Sequence, residues 1–250
     1  RRDRRVRSKT EWSKETIGDE ITIYTSAAHA FGIDAFLLAD FAKPKRGERV
    51  CDFGAGCGII PMLLARTKQP REVVGVEIQQ QGVMQFEASV RDSSTAMPVI
   101  PVCADLTSRE TLKGEQFDLI TCNPPYKAAG GGILSEETAE QIARHETMCT
   151  LEDLCKTAKR LLRFGGRFCI CQRPERLSDA MVLFRQYGIE PKRLRLVCRD
   201  KDSAPWLFLL MGQRGAKPHL RIEPNFFVYE NGEYTAETHR MYGGSFEKGE

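Results

Sequence analysis

The chain has 250 residues, of which 28% are charged and 41% are hydrophobic, and its net charge is +3. This composition is typical of a globular protein and excludes collagen-like, mucin-like and wholly disordered chains. No run of 18 apolar residues occurs and no secretory signal is visible, so we expect neither a membrane span nor a membrane partner.

Positive charge is concentrated at the start of the chain. The first ten residues hold six basic side chains and one acidic side chain, a surplus larger than the net charge of the whole protein. Such an arm is either a solvated chain end or an electrostatic contact for nucleic acid, and the sequence leaves both open. We divide the chain into a basic arm and leader segment, residues 1–30, and one domain, residues 31–250.

From residue 49 onward, short apolar runs alternate with segments of helical periodicity. The predicted strands are Arg49–Phe53, Val73–Ile78, Val99–Ala104, Phe117–Cys122, Arg167–Cys171, Arg193–Cys198 and Trp206–Met211. Helices are predicted near residues 59–67, 79–91, 151–162 and 177–187. This order predicts an α/β fold with a doubly wound, mostly parallel seven-stranded sheet. The last two strands have no helix between them, which indicates an antiparallel hairpin at one edge.

A glycine loop follows the first predicted strand. Its sequence, DFGAGCG at residues 52–58, places Gly54, Gly56 and Gly58 where the backbone turns sharply and can approach a ligand closely. The spacing is GxGxG rather than the GxGxxG of dinucleotide sites, and an acid precedes it. Both features argue against a pyrophosphate, so a site for NAD is the weaker alternative.

Three acids are predicted to lie at the carboxyl edge of the sheet, where open α/β sheets bind ligands. Asp52 precedes the glycines, Glu77 ends the second strand, and Asp105 follows the third strand. S-adenosylmethionine has an ammonium group, a ribose and an adenine but no phosphate. Asp52 suits its ammonium, Glu77 its ribose hydroxyls, and Asp105 its adenine amino group. We therefore predict an S-adenosylmethionine site.

A second motif, Asn123-Pro124-Pro125-Tyr126, follows the fourth predicted strand on the same edge. A planar amino nitrogen is a poor nucleophile because its lone pair is delocalised. The Asn123 side-chain oxygen and the Pro124 carbonyl can accept its two protons, which frees the lone pair for a positioned attack on a sulfonium methyl. Tyr126 offers a ring on which a flipped base can stack. These residues predict the catalytic group of an N-methyltransferase.

The nine cysteines form no CxxC pair, which argues against zinc-ribbon and thioredoxin-type sites. Most of them lie inside apolar runs, where a free thiol behaves as a small core residue. This usage is typical of a reducing compartment. We therefore expect a cytoplasmic protein with structural cysteines and no bound metal, and the sequence leaves its oligomeric state open.

With these motifs in order, residues 31 to 244 resemble the bacterial tRNA1(Val) (adenine(37)-N6)-methyltransferases, which are class I S-adenosylmethionine-dependent enzymes of the NPPY type. The resemblance is carried by FGIDAFLLA at 31–39, DFGAGCGIIP at 52–61, GVEIQ at 75–79, TCNPPY at 121–126, ARHE at 143–146, RPER at 173–176 and IEPKRLR at 189–195. The last three stretches are the more distinctive. Lys127 and the glycines at 130–132 depart from the family pattern.

The resemblance implies methyl transfer to the N6 amine of an adenine in tRNA. It also implies that the segment containing Asp34 covers the cofactor. A basic excess between residues 156 and 201 fits phosphate contacts, although such side chains are also common on solvated helix faces. The predicted tRNA contacts are Arg144, Arg173, Arg176, Lys192 and Arg193.

Other functions stay open at this point. A glutamine N5-methyltransferase that acts on a peptide release factor uses the same NPPY chemistry, but no N-terminal docking domain is evident. A catalytically silent RNA-binding protein on the same fold would need neither the three acids nor NPPY. A dehydrogenase is the most distant alternative.

Overall fold

A computed structural model of the chain describes residues 12–124 and 149–243. The predictions for Tyr126, Arg144, the glycines at 130–132 and the basic start of the chain lie outside these residues. The described strands are β1 (Ser13–Ile17), β2 (Ile21–Thr25), β3 (Arg49–Phe53), β4 (Glu72–Glu77), β5 (Val99–Cys103), β6 (Phe117–Cys122), β7 (Leu162–Gln172), β8 (Ile189–Cys198), β9 (Pro205–Arg214), β10 (Arg221–Ile222), β11 (Phe226–Phe227), β12 (Tyr229–Glu230) and β13 (Glu233–Tyr234). The described helices are α1 (Ile33–Ala42), α2 (Ile59–Arg66), α3 (Gln80–Arg91), α4 (Leu151–Leu161), α5 (Leu177–Gln186) and α6 (Ala236–Tyr242), with a 3₁₀ turn at Pro174–Arg176.

The seven predicted strands form one sheet in the order β8-β9-β7-β6-β3-β4-β5. The pairs among β7, β6, β3, β4 and β5 are parallel, and β9 runs antiparallel between β7 and β8. The predicted fold class is confirmed. The hairpin β8–β9 is not the outermost edge, because β10 and β11 pair with β8. These two strands have two residues each, too few to show an alternating pattern in the sequence.

Helices cover both faces of the sheet, as a doubly wound fold requires. Neighbouring residues of one strand supply opposite sides: Val50 joins the cluster under α1 and α2, and Cys51 joins the cluster under α4 and α5. Seven of the nine free cysteines are buried, six of them in these two clusters. Among the helices in the described ranges, none is long and apolar enough to cross a membrane.

The antiparallel hairpin β1–β2 was not predicted from the sequence. It lies on α3 and on the turn that follows it: the backbone N–H of Tyr24 donates to Ser89 Oγ at 3.0 Å, and that of Thr22 donates to Ser93 Oγ, just beyond the helix, at 2.8 Å. The Gln85 amide also donates to the Tyr24 carbonyl at 2.9 Å. These bonds satisfy backbone groups of β2 and fix where the following segment, residues 26–32, enters the functional site.

Candidate active site

The carboxyl ends of β3, β4, β5 and β6 border a cavity of about 320 Å³. Its described lining contains most of the side chains that the sequence predicted for cofactor and amine. They are Asp34, Gly54, Gly56, Glu77, Asp105, Asn123 and Pro124. The topology therefore brings together residues that are up to 90 positions apart in the chain.

The three predicted glycines have different surroundings, although all of them have positive φ, the region that favours glycine (+70°, +53° and +88° for Gly54, Gly56 and Gly58). A Cβ atom on Gly54 would have no atom of the described protein within 4 Å, so the loop keeps this part of the cavity clear. A Cβ on Gly58 would lie 2.0 Å from the Phe86 ring, and Gly58 is not among the described residues that line the cavity. Gly58 therefore allows α3 to approach the loop.

Glu77 joins the glycine loop to the end of β4. Its Oε2 accepts from the Gly56 N–H at 2.9 Å, and its Oε1 accepts from the Gln79 N–H at 2.8 Å. The side chain is buried but lies in the cavity wall. A carboxylate has about four acceptor positions, so two remain for hydroxyl groups of a ligand.

Asp52 lies behind the loop. It is fully buried and is not among the described residues that line the cavity. Its Oδ1 accepts from the Thr121 hydroxyl at 2.5 Å, whereas its Oδ2 has no partner within the described ranges. Burial raises the pKa of Asp52 to about 8. This placement gives no direct contact with the cavity, so the predicted contact with an ammonium group stays a prediction.

Asp105 is exposed at the rim of the cavity. Its Oδ1 accepts from the Thr107 N–H and from the Thr107 hydroxyl, both at 2.8 Å. The hydroxyl of Thr111 donates to the Asp105 carbonyl at 2.5 Å and holds the same turn. The carboxylate therefore has a fixed position at the end of β5.

Asn123 is oriented by Asp34. The Asn123 Nδ2 donates to Asp34 Oδ2 at 2.8 Å. Because a carboxylate only accepts, the amide nitrogen faces Asp34 and the amide oxygen faces away. That oxygen, Asn123 Oδ1, is buried and has no partner among the residues described. Asp34 itself lies in the first turn of α1, and a Cβ on Gly32 would be 2.8 Å from its Oδ1.

Further lining residues were not predicted. His29, Phe31 and Gln79 line the cavity, and His29 is buried there. Phe31 belongs to the segment whose resemblance the sequence showed, but nothing in the residue pattern distinguished its ring from a core residue. His29 lies in the segment after β2, and a single histidine carries no spacing signal.

The predicted RNA contacts that are described have mixed surroundings. Arg176 is exposed and pairs with Asp179 at 3.0 Å, and Lys192 Nζ donates to the Lys217 carbonyl at 3.0 Å. Arg193 is bound to Glu223 by two hydrogen bonds, at 2.7 and 3.3 Å, and this pair lowers the pKa of Glu223. Arg193 thus has a structural ion pair that fastens β8 to the segment after β10.

A family match gives this site a chemical context. Residues 31–187 match the model of the methyltransferase small domain, well over half of the chain. The chain belongs to the methyltransferase small domain family. A relative of this methyltransferase from Erwinia tasmaniensis, named tRNA1(Val) (adenine(37)-N6)-methyltransferase, is 33% identical over 175 residues, which are 70% of each chain. The resemblance drawn from the sequence motifs is confirmed.

Solved structures show the same fold. A predicted O-methyltransferase from Agrobacterium tumefaciens superimposes with a TM-score of 0.65 at 19% identity, over 84% of this methyltransferase and 96% of that chain. The T. thermophilus 16S rRNA N2 G1207 methyltransferase, solved with AdoMet and guanosine, has a TM-score of 0.55 at 22% identity, over 82% and 50% of the two chains. At such identities the likeness concerns the fold alone.

Proposed function

We propose that this methyltransferase transfers a methyl group from S-adenosylmethionine to the exocyclic N6 amine of an adenine in tRNA. The observation that carries the proposal is the buried acceptor Asn123 Oδ1 in the wall of the cavity, which has no hydrogen-bond partner among the described residues. A buried acceptor without a partner costs free energy, so a ligand that donates a hydrogen bond to it recovers that free energy. An amine N–H would supply the donor that this oxygen lacks within the described ranges.

The cavity suits a cationic cofactor. Its described lining includes the acids Asp34, Glu77 and Asp105 and contains no Lys or Arg, so it favours a cation and disfavours the phosphates of a dinucleotide. Gly54 and Gly56 would admit the cofactor, Glu77 would hold its ribose hydroxyls, and Asp105 its adenine amino group. When bound, S-adenosylmethionine supplies an electrophilic methyl on a sulfonium.

The chain's own residues would then position the amine. Asn123 Oδ1 and the Pro124 carbonyl each accept one of its protons, which turns the nitrogen lone pair out of conjugation and toward the methyl. As the new N–C bond forms, the bond between the methyl and the sulfonium breaks, S-adenosylhomocysteine is the leaving group, and the nitrogen then loses one proton to water. The rate enhancement comes mainly from orientation, because no general base is needed before the methyl arrives. Tyr126 is proposed to stack on the flipped adenine.

The name of the Erwinia tasmaniensis relative supports tRNA as the substrate class and adenine 37 of tRNA1(Val) as the position. A glutamine amide presents a similar planar nitrogen, so the release-factor activity is the competing function at this site. The buried free thiols suit a reducing cytoplasm, which is the location that we propose.

The test is transfer of labelled methyl from S-adenosylmethionine to unmodified bulk bacterial tRNA, with a release-factor glutamine peptide assayed in parallel. Nucleosides are identified by mass spectrometry after digestion. We expect N6-methyladenosine in the tRNA and no label in the peptide. Label in the peptide alone would show that the substrate is the release-factor glutamine and not tRNA. No label in either, with a thermal shift on S-adenosylhomocysteine, would indicate a catalytically silent protein.

A further inference from the structure

A second cavity, of about 730 Å³, adjoins the active site. Phe31 and Gly32 line both cavities, so the two share a wall. The remainder of the second cavity comes from Glu15 of β1, from Ile33 and Phe36 of α1, from the β8–β9 connection and β9, and from the segment between β11 and the end of α6. Its volume lies in the range of small-molecule sites. The methyl transfer proposed above uses none of these C-terminal residues.

The wall of this second cavity is aromatic. Its six aromatic side chains are Phe31, Phe36, Trp206, Tyr229, Tyr234 and Tyr242. The Tyr229 and Tyr234 rings stack with centroids 5.1 Å apart and an interplanar angle of 19°, and Tyr242 lies edge-on to Phe36 at 4.7 Å. Phe31, Trp206, Tyr229 and Tyr234 are only partly buried. We call the second cavity, which these six rings line, the aromatic cavity.

Arginines lie over two of these rings. The exposed Arg199 places its guanidinium carbon 5.9 Å from the Tyr229 centroid, and Arg199 also lines the cavity. The Arg173 guanidinium carbon is 5.7 Å from the Trp206 centroid, and its NH1 donates to the Trp206 carbonyl at 3.2 Å. Aromatic faces combined with guanidinium groups are the chemistry of sites for single-stranded nucleic acid.

We propose that the aromatic cavity binds a nucleobase of the substrate RNA next to the target adenine. This inference rests on the proposed function. An adenine that leaves its stack exposes the face of its neighbouring base, and the lost stacking has to be replaced. The aromatic cavity offers that replacement beside the active site, because Phe31 borders both. A planar base can stack on these aromatic rings. Because the two cavities share a wall, the base in the aromatic cavity would belong to a nucleotide adjacent to the target adenine.

The experiment is a double-mutant cycle between protein and RNA. The substrate is a tRNA stem-loop with the target adenine, compared with the same stem-loop carrying an abasic site on its 5′ or its 3′ side. The enzymes are wild type, Trp206→Ala and Trp206→Phe, with Phe164→Ala, an exposed aromatic outside the cavity, as the matched control. Thermal unfolding and S-adenosylhomocysteine affinity establish that each variant is folded and binds the cofactor.

With wild type, removal of one of the two neighbouring bases lowers kcat/KM about tenfold, mostly through KM. Trp206→Ala lowers kcat/KM for the intact stem-loop by a similar factor, and the abasic site then has no additional effect. Trp206→Phe recovers part of the loss, and Phe164→Ala behaves as wild type. If Trp206→Ala does not fold, Tyr229→Ala takes its place in the cycle.

Multiplicative losses from the protein variant and the abasic site, on both sides of the adenine, would overturn the base site and leave the proposed function standing. Unchanged kcat/KM in Trp206→Ala would do the same. A wild-type enzyme that methylates the release-factor peptide and no RNA would overturn the proposed function and this inference with it.

Discussion

The two walls of the active-site cavity are built by different means. On the wall of β3 and β4, each oxygen of the Glu77 carboxylate accepts a backbone N–H group, one from Gly56 in the glycine loop and one from Gln79 after β4. On the wall of β6, the Asn123 amide donates to Asp34 of α1, and its Oδ1 has no partner within residues 12–124 and 149–243. A wall that only binds can be complete before the ligand arrives, whereas a wall that reacts keeps an acceptor for the transition state.

The largest effect is expected at the reacting wall. Asn123→Ala removes the acceptor for the amine, so the rate of methyl transfer falls by about 100-fold or more. The affinity for S-adenosylhomocysteine, measured by calorimetry, stays near that of wild type because Asn123 is not part of the wall of β3 and β4. Asn225→Ala, at an exposed asparagine, is the control. Turnover above a tenth of wild type would remove Asn123 from the mechanism.

The next largest effect is expected at Asp34, and it shows whether this residue orients Asn123 or binds the cofactor. The family resemblance implied that the segment containing Asp34 covers the cofactor, while the structure shows the Asp34 carboxylate accepting from the Asn123 amide. Asp34→Ala frees the amide to rotate, and we expect kcat to fall about tenfold with little change in cofactor affinity. Asp34→Asn can still accept from Asn123 Nδ2 and restores part of kcat.

Asp40→Ala on the same helix is the control for Asp34. The discriminating measurement compares two changes relative to wild type, the fold-change in kcat and the fold-change in affinity for S-adenosylhomocysteine. A loss of affinity as large as the loss of kcat would show that Asp34 binds the cofactor.

The binding wall is tested at Glu77. Glu77→Ala removes two acceptors that the ligand can use and also releases the Gly56 N–H, so the affinity for S-adenosylhomocysteine falls about tenfold or more. The rate at saturating cofactor changes less than in Asn123→Ala. Equilibrium binding by calorimetry separates the two quantities, and unchanged affinity would show that Glu77 only braces the loop.

Much of this architecture could be predicted from the sequence, for a physical reason. Buried parallel strands are continuous apolar runs, so β3 and β6 were predicted with the bounds that the structure gives. Topology alone predicted Glu77 and Asp105 at the carboxyl edge, where they line the cavity, whereas Asp52 lies inside β3 and outside the described lining. The contact between Asp34 and Asn123 could not be predicted, because it joins residues 89 positions apart through the packing of α1 on the sheet.

Two further features depended on side-chain packing. Sequence cannot distinguish a glycine that leaves space for a ligand from one that leaves space for a neighbouring side chain. Gly58 leaves space for the Phe86 ring. The aromatic cavity joins Phe31, Trp206 and Tyr229, which come from three distant segments, and two-residue strands such as β12 leave no periodic pattern.

The smallest effect is expected behind the binding wall, at Asp52. Its pKa of about 8 lies well above the ordinary 3.8, so the folded protein holds a proton that the unfolded chain has already lost between these values. The stabilising contribution of Asp52 is therefore complete at low pH and is lost as pH rises through about 8. Asp52→Asn keeps an acceptor for the Thr121 hydroxyl and cannot titrate, so it removes this part of the pH dependence.

The measurement for Asp52 is the melting temperature of wild type and Asp52→Asn from pH 5 to pH 9 without cofactor. The melting temperature of Asp52→Asn should rise relative to wild type as pH increases to about 8 and then stay level, while Asp40→Asn follows wild type throughout. Parallel curves would mean that Asp52 is ionised in the folded protein. Because Asp52 lies behind the loop, Asp52→Asn should bind S-adenosylhomocysteine within about threefold of wild type. A loss that matches Glu77→Ala would instead place Asp52 in contact with the cofactor's ammonium, as the sequence predicted.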